Sequence, residues 1–158
     1  ETGFPTTGEI RSVVILAAFS DVGFTVPDPQ RAFERMLNEE GYSDNGALGS
    51  ARDYYLDNSG GRFRPTFDVV GPVTLDHPVA YYGANTDYRD ENAERMIIEA
   101  CHKAERAGVD FSQYDFDNDG KIDNVFVYYA GHNESDGGGM NTVWPHRGEI
   151  SYPPCFSI

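Results

Sequence analysis

The chain has 158 residues, which is enough for one domain with a hydrophobic core. It carries 26 Asp and Glu residues against 12 Lys and Arg, a formal net charge of −14. This acidic balance argues against nucleic-acid phosphates and anionic membrane surfaces as partners. The longest apolar run, residues 13–19, is too short to span a bilayer. The sequence therefore predicts a protein that does not bind nucleic acid and has no membrane-spanning segment.

The ends of the chain and its cysteines give weaker information. Residues 1–9 are rich in Gly, Thr and Pro and contain neither an initiator Met nor a basic-then-apolar leader. We expect them to be flexible, as a processed or expression-derived end. Cys101 and Cys155 allow one disulfide, but their spacing fits no metal motif. Whether they pair is left open by the sequence.

The first part of the chain predicts a buried strand followed by a helix. The continuous apolar run over residues 12–20 indicates a central strand covered on both faces. Asp28 followed by Pro29 is typical of a helix start, and Gly41 predicts its end.

A second helix and a second strand follow. Ser50 with Asp53 three residues later predicts a capping box for a helix over residues 50–58, closed by the glycines at 60 and 61. Apolar residues alternate over residues 63–73, which predicts a strand with one solvent-facing side. Its prolines at 65 and 72 favour a place near a sheet edge.

The remaining elements complete an alternating order of strands and helices. Residues 74–89 predict a long loop, residues 90–107 the longest helix, residues 124–130 a strand, and residues 141–147 a last short strand. The long helix has one apolar stripe, formed by Ala93, Met96, Ile97, Ala100 and Ala104. This order predicts an α/β (α+β) class with a twisted mixed sheet flanked by helices.

An acidic loop precedes the strand at residues 124–130. Residues 115–124 read D-F-D-N-D-G-K-I-D-N, which is most of the pattern by which a loop wraps Ca²⁺. In that pattern the side chains at positions one, three, five and nine and the backbone carbonyl at position seven face the ion. The predicted ligands are therefore Asp115, Asp117, Asp119, Lys121 (through its carbonyl) and Asp123.

The calcium pattern is incomplete. Position twelve is Phe126, where an EF-hand has a bidentate Glu, so a helix–loop–helix sensor is not expected. The alternative is a solvated acidic turn, since Asp, Asn and Gly are ordinary turn residues. Repulsion among four carboxylates in nine residues favours the cation.

No other catalytic pattern is complete. The four histidines, His77, His102, His132 and His146, contain no pair with the His-Glu-x-x-His spacing of a zinc helix. We expect His102 on a helix surface and His77 in a loop. His132-Asn133-Glu134 with a later Pro-Cys is similar to a zinc-deaminase signature, but Ile158 stands where the second cysteine is needed.

Taken together, several segments resemble the peptidase domain of the immune-inhibitor-A family of secreted bacterial zinc metalloproteases. The resemblance covers most of the chain. The segments are residues 50–63 (S-A-R-D-Y-Y-L-D-N-S-G-G-R-F), 70–75 (V-G-P-V-T-L), 81–83 (Y-Y-G), 109–115, 117–131, 137–139 (G-G-G) and 144–147 (W-P-H-R).

The resemblance implies a zincin-like upper subdomain, a calcium-supported sheet and endopeptidase activity on protein or peptide substrates. Zn²⁺ would be held by a His-Glu-x-x-His helix, which these 158 residues lack. We therefore expect residues 10–158 to be the N-terminal, calcium-binding half of a catalytic domain, inactive by itself and completed by a C-terminal remainder.

Two further expectations follow from the resemblance. Residues 141–147 would be an edge strand that pairs with an extended substrate, with Val143 and Trp144 in contact with it. On composition alone the same segment is a packed Trp beside a polar turn. The alternative for the whole chain is a non-catalytic, calcium-stabilised extracellular binding or structural module.

Overall fold

The computed structural model describes residues 5–86 and 89–150. Within these ranges a three-stranded parallel sheet of order β2-β1-β3 has helices on both faces. The α/β class predicted from the sequence is confirmed. The elements are β1 Gly8–Ala18, α1 Pro29–Asn38, α2 Ala51–Ser59, β2 Phe63–Thr74, α3 Val79–Gly83, α4 Ala93–Arg106 and β3 Val125–Tyr129.

The central strand is β1, as its continuous apolar run predicts. It pairs with β2 on one side and with β3 on the other. Its residues from Val13 to Ala17 are at most 1% exposed, because neighbouring strands and both covering layers exclude water. The strand begins at Gly8, so the segment expected to be flexible already joins the sheet there.

The sheet differs from the prediction in strand direction. Both pairings are parallel, so the mixed sheet is wrong for the described residues. Each connection from one strand to the next contains helix rather than a tight hairpin. Parallel neighbours require such long crossovers.

The alternation of β1 side chains divides the core into two layers. Val13, Ile15 and Ala17 pack in the layer that contains buried residues of α4. Val14 and Leu16 pack in the opposite layer with Leu37 of α1. Successive side chains of a strand point to opposite faces, so one strand contributes to both layers.

The helix α1 begins as predicted and ends early. The Asp28 carboxylate accepts the Arg31 N–H, and Pro29 occupies the first position. The helix stops at Asn38, three residues before the glycine expected to end it. The Asn38 amide there donates to the Phe67 carbonyl and accepts the Phe67 N–H, both at 2.8 Å. These bonds occupy backbone groups of β2 that face away from β1, on the side where the strand is an edge.

The helix α2 has the capping box expected from its sequence. Ser50 Oγ accepts the Asp53 N–H and the Asp53 carboxylate accepts the Ser50 N–H. Gly60 ends the helix in the left-handed conformation. The alternating strand β2 also matches its prediction, since every buried residue in it is separated from the next by solvent-facing or half-buried ones.

Two segments of the second half differ from their predictions. Residues 79–83 form the short helix α3 inside the expected loop, because Tyr82 is fully buried against the core. The helix α4 begins at Ala93, three residues later than predicted. His77 lies in the loop as expected, and its ring stacks on Tyr81 at 4.0 Å between centroids.

The predicted last strand is absent. Residues 141–147 form no strand and pair with none of the described strands. Cys101 is buried in α4, and Cys155 lies outside the described residues, so their pairing stays open. Across the described ranges no helix has the length and apolar character needed to cross a bilayer.

Candidate functional site

The acidic loop is anchored at both ends to the folded core. A short 3-10 turn, Phe111–Tyr114, comes immediately before it and β3 follows it. Tyr114 is buried, its hydroxyl donates to Asp68 on β2 at 3.0 Å, and its carbonyl accepts the Asp123 N–H at 3.1 Å. The loop geometry is therefore set by the edge strand β2 and by the start of β3.

Within the loop, carboxylates accept backbone N–H groups of neighbouring residues. Asp115 accepts the N–H groups of Asp119 and Gly120 at 3.1 and 2.9 Å. Asp123 accepts the Phe116 N–H at 2.6 Å, which ties the end of the loop to its beginning. Gly120 takes a positive φ of 83°, the reversal for which a glycine is expected.

Three of the predicted metal ligands converge. Asp115, Asp117 and Asp123 each offer a carboxylate oxygen, and these oxygens lie within 4.8 Å of one another. Oxygen ligands at such separations suit a hard divalent cation such as Ca²⁺. Asp119 is not part of this group; its carboxylate accepts the Lys121 backbone N–H at 2.9 Å and lies 3.2 Å from the Lys121 ammonium. The role predicted for the Lys121 carbonyl stays a prediction.

The zinc implied by the resemblance has no ligand set in the described part of the chain. Within residues 5–86 and 89–150 the aspartate group is the one cluster of three His, Cys, Asp or Glu residues at metal-binding distance. His102 is on the surface of α4, as expected, with its ring 3.8 Å from Glu105. The described residues therefore contain no group of side chains that fits a catalytic zinc site.

The segment expected to contact substrate has one buried and one exposed member. Val143 is fully buried, so its side chain is not accessible to a peptide in this structure. Its carbonyl accepts the Tyr129 hydroxyl at 2.8 Å and the Glu134 N–H at 3.2 Å. Trp144 is half exposed, and its backbone N–H donates to the Asp90 carboxylate at 2.8 Å. The substrate role predicted for Val143 and Trp144 stays a prediction for both residues.

Asp90 is a residue that the sequence did not single out. It is 9% exposed and lies just before α4, where it forms an isolated antiparallel bridge with Asn85. One of its carboxylate oxygens accepts the Trp144 N–H, and the other is buried with no hydrogen-bond partner among the described residues. Burial raises the pKa of this carboxyl group. No local pattern identifies Asp90, because an Asp before a helix is an ordinary capping residue.

Comparisons with known proteins all find similarity to bacterial peptidases of one family. The model of the immune inhibitor A peptidase M6 catalytic domain matches residues 28–154. The pre-pro-metalloprotease PrtV of Vibrio cholerae serotype O1 is 26% identical over 141 residues, which covers 76% of this chain and 15% of PrtV. Immune inhibitor A of Bacillus thuringiensis subsp. alesti is 27% identical over 150 residues, 80% of this chain and 22% of that protein. The chain thus spans less than a quarter of the length of these relatives.

Proposed function

The chain belongs to the immune inhibitor A peptidase M6 family, and on this premise we propose that it is the N-terminal, calcium-binding half of the catalytic domain of a secreted zinc endopeptidase. The observation that carries the calcium assignment is the convergence of three carboxylates in the loop before β3. The endopeptidase assignment rests on the family and on relatives named as a metalloprotease and as immune inhibitor A.

The proposed role of Ca²⁺ is to hold the start of β3. Four aspartates lie within nine residues of this loop, and one lysine, Lys121, is paired with Asp119. At close range like charges repel, and a bound divalent cation reverses that repulsion into attraction. The loop leads directly into β3, which pairs with the central strand. Calcium would therefore stabilise the sheet by fixing one of its connections.

The proposed zinc site is made by another part of the same protein. The described residues contain no fitting ligand set, so the proposed peptide hydrolysis would use zinc ligands outside residues 5–86 and 89–150. The 158-residue chain alone is expected to be inactive, and its partner is the remainder of the catalytic domain. Zn²⁺ bound there would activate a water for attack on the peptide bond.

A calcium titration tests the loop assignment. Thermal unfolding of the chain is followed in millimolar Ca²⁺ and in chelator, and Tm is expected to rise with Ca²⁺. A ligand at about 100 times its Kd stabilises a protein by about 2.7 kcal/mol. Asp117→Ala should remove most of this shift. Asp57→Ala is the matched control, since it removes the same charge from an exposed position on α2. A Tm that does not respond to Ca²⁺ would contradict the loop assignment.

The second candidate is a calcium-stabilised binding or structural module with no catalysis. It is favoured by the lack of a zinc ligand set among the described residues. Casein hydrolysis by the full-length protein separates the two, with a chelator selective for transition metals and a calcium-selective chelator applied in parallel. Loss of activity with the first chelator and recovery on adding Zn²⁺ support the peptidase. A full-length protein without any proteolysis supports the module.

A further inference from the structure

Both backbone polar groups of Trp144 are occupied by side chains. Its N–H donates to Asp90 Oδ2 at 2.8 Å. Its carbonyl oxygen lies 2.9 Å from His146 Nδ1. A carbonyl only accepts, so this second contact is a hydrogen bond when His146 carries a proton on Nδ1. The backbone N–H of Trp144 is therefore held by Asp90, and its carbonyl is held as well when His146 is protonated on Nδ1.

The hydrogen bonds at Trp144 limit how residues 141–147 could contact a peptide. Pairing with an extended substrate, as an added strand does, requires free backbone N–H and carbonyl groups. At Trp144 the N–H is already bonded to Asp90, and residues 141–147 form no strand. The indole, by contrast, belongs to a side chain that is 50% exposed. Contact through the indole is thus compatible with the structure, whereas backbone pairing at this residue requires that the hydrogen bond to Asp90 be broken.

The residues before Trp144 are held just as firmly. Val143 is fully buried, and its carbonyl accepts the Tyr129 hydroxyl from the end of β3. Thr142 lies against Gly83, the last residue of α3. These contacts join the segment to two elements that are far apart in the sequence. Asp90 adds a third support, from the residues just before α4.

The cost of burying Asp90 indicates more than a stabilising role. A buried carboxylate loses its hydration, and one oxygen of Asp90 has no hydrogen-bond partner in the described ranges. An apolar residue would avoid that cost but could not accept the Trp144 N–H. Unfavourable groups of this kind are expected where a functional geometry has to be maintained.

We propose that Asp90 is a positioning residue that fixes the main chain of Trp144 and presents the indole to an apolar or aromatic side chain of a peptide substrate. The substrate part rests on the proposed endopeptidase function. The positioning part concerns this chain alone. Aromatic rings bury a large apolar area at little conformational cost, which makes the indole suited to such a contact.

Trp144 is the single tryptophan of the sequence, so its fluorescence tests the positioning part directly. Asp90→Ala should shift the emission to longer wavelength and increase quenching by acrylamide. Asp90→Asn should preserve both signals, because an amide oxygen can still accept the Trp144 N–H. Wild-type emission and quenching in Asp90→Ala would overturn the proposal.

A second measurement needs no variant and applies even where Asp90→Ala does not fold. Hydrogen exchange of the Trp144 amide in the wild-type chain should be slow compared with that of exposed loop amides. An amide that exchanges at the rate of the exposed loops would also overturn the positioning role.

Peptide turnover by the full-length protein tests the substrate part. Asp90→Ala should raise KM roughly five- to tenfold with a smaller change in kcat, the size expected for one lost hydrogen bond. Asp90→Asn should restore KM. Trp144→Ala should raise KM in the same manner. Changed fluorescence in Asp90→Ala together with an unchanged KM in Trp144→Ala would refute the substrate contact and leave the positioning role standing. A full-length protein without proteolysis would instead refute the proposed function.

Discussion

Gly83 packs so closely on Thr142 that a Cβ on Gly83 would lie 2.3 Å from the Thr142 carbonyl carbon. The other two nearest atoms, at 2.5 and 2.7 Å, are also backbone atoms of residues 142 and 143. Backbone cannot give way as the end of a flexible side chain does. The absence of a side chain at Gly83 therefore allows the segment that carries Trp144 to lie against α3.

Gly83→Ala should destabilise the chain and loosen this segment. Inserting a methyl group into a closely packed site typically costs about 1–3 kcal/mol, and the clash with backbone favours the upper part of that range. We expect a lower urea midpoint and greater acrylamide quenching of Trp144. Gly23→Ala is the matched control, because an added Cβ there meets nothing within 4 Å and the backbone has no positive φ. Equal stability of the two variants would contradict the packing argument.

The buried Asp90 predicts a pH dependence of stability. Burial, the largest cause, raises its pKa in the folded protein, while the Trp144 N–H and nearby His146 partly oppose the shift. The folded state then binds the proton more tightly than the unfolded state. The contribution of Asp90 is thus most favourable below the ordinary carboxyl pKa of about 3.9 and declines as pH rises through the raised pKa.

Asp90→Asn removes this titration while leaving the other carboxylates in place. The free energy of unfolding of the wild type minus that of the variant should therefore fall from about pH 3.9 upward. Urea unfolding at a series of pH values measures it. Glu134 and Tyr129 also lie close enough to interact electrostatically with Asp90. A difference that is constant with pH, or that grows, would contradict the raised pKa.

The Asp53 carboxylate joins the start of α2 to Gly41, near the beginning of the loop that follows α1. One of its oxygens accepts the Ser50 and Gly41 N–H groups, each at 2.9 Å. These bonds lower the pKa of Asp53, led by the one from Ser50. Asp53→Ala leaves both donors without this acceptor and should lower stability, as loss of a helix cap does.

The control for Asp53→Ala is Asp57→Ala, which changes the same helix by the same charge at an exposed position. Because the folded-state pKa of Asp53 is depressed, its contribution is present above the ordinary carboxyl pKa and is lost as pH falls through the depressed value. The two variants should therefore differ at neutral pH and converge in acid. Thermal unfolding of the two variants at neutral pH and in acid measures the difference in stability. A difference that persists in strong acid would count against the cap.

The acidic loop gives a prediction that distinguishes its aspartates. Asp117 belongs to the converging group, whereas Asp119 accepts from Lys121. Asp117→Asn should weaken Ca²⁺ binding more than Asp119→Asn does, because it removes charge from the group that already faces a common point. Calorimetric titration of each variant with Ca²⁺ measures the two affinities. Equal losses would mean that Asp119 turns toward the ion on binding, as the loop pattern alone predicts.

Local signals in the sequence determined much of the fold. The apolar run at the centre of β1, the cap at Asp28 and the capping box at Ser50 concern contacts within a few residues. The strand and both helices lie in the expected parts of the chain, although β1 begins earlier and α1 ends earlier than predicted. The acidic loop was located in the same way, since its spacing places carboxylates around one point. In each case the signal comes from residues that are close to one another in the sequence.

Tertiary structure decided the features that join distant segments. Nothing near residue 80 indicates that Tyr82 becomes buried and turns the expected loop into α3. The segment at residues 141–147 is expected to be an edge strand from the family resemblance, but Gly83, Tyr129 and Asp90 hold it in another conformation.

Asp90 shows the same limit at the candidate site. In the sequence Asp90 is an ordinary residue before a helix. Its proposed role depends on a hydrogen bond to Trp144, which is 54 positions away. The sequence by itself thus determined the elements, the family resemblance and the acidic loop, because hydrophobic periodicity and capping act locally. Only the folded chain decided which backbone groups are already bonded, since that depends on which distant segments come into contact.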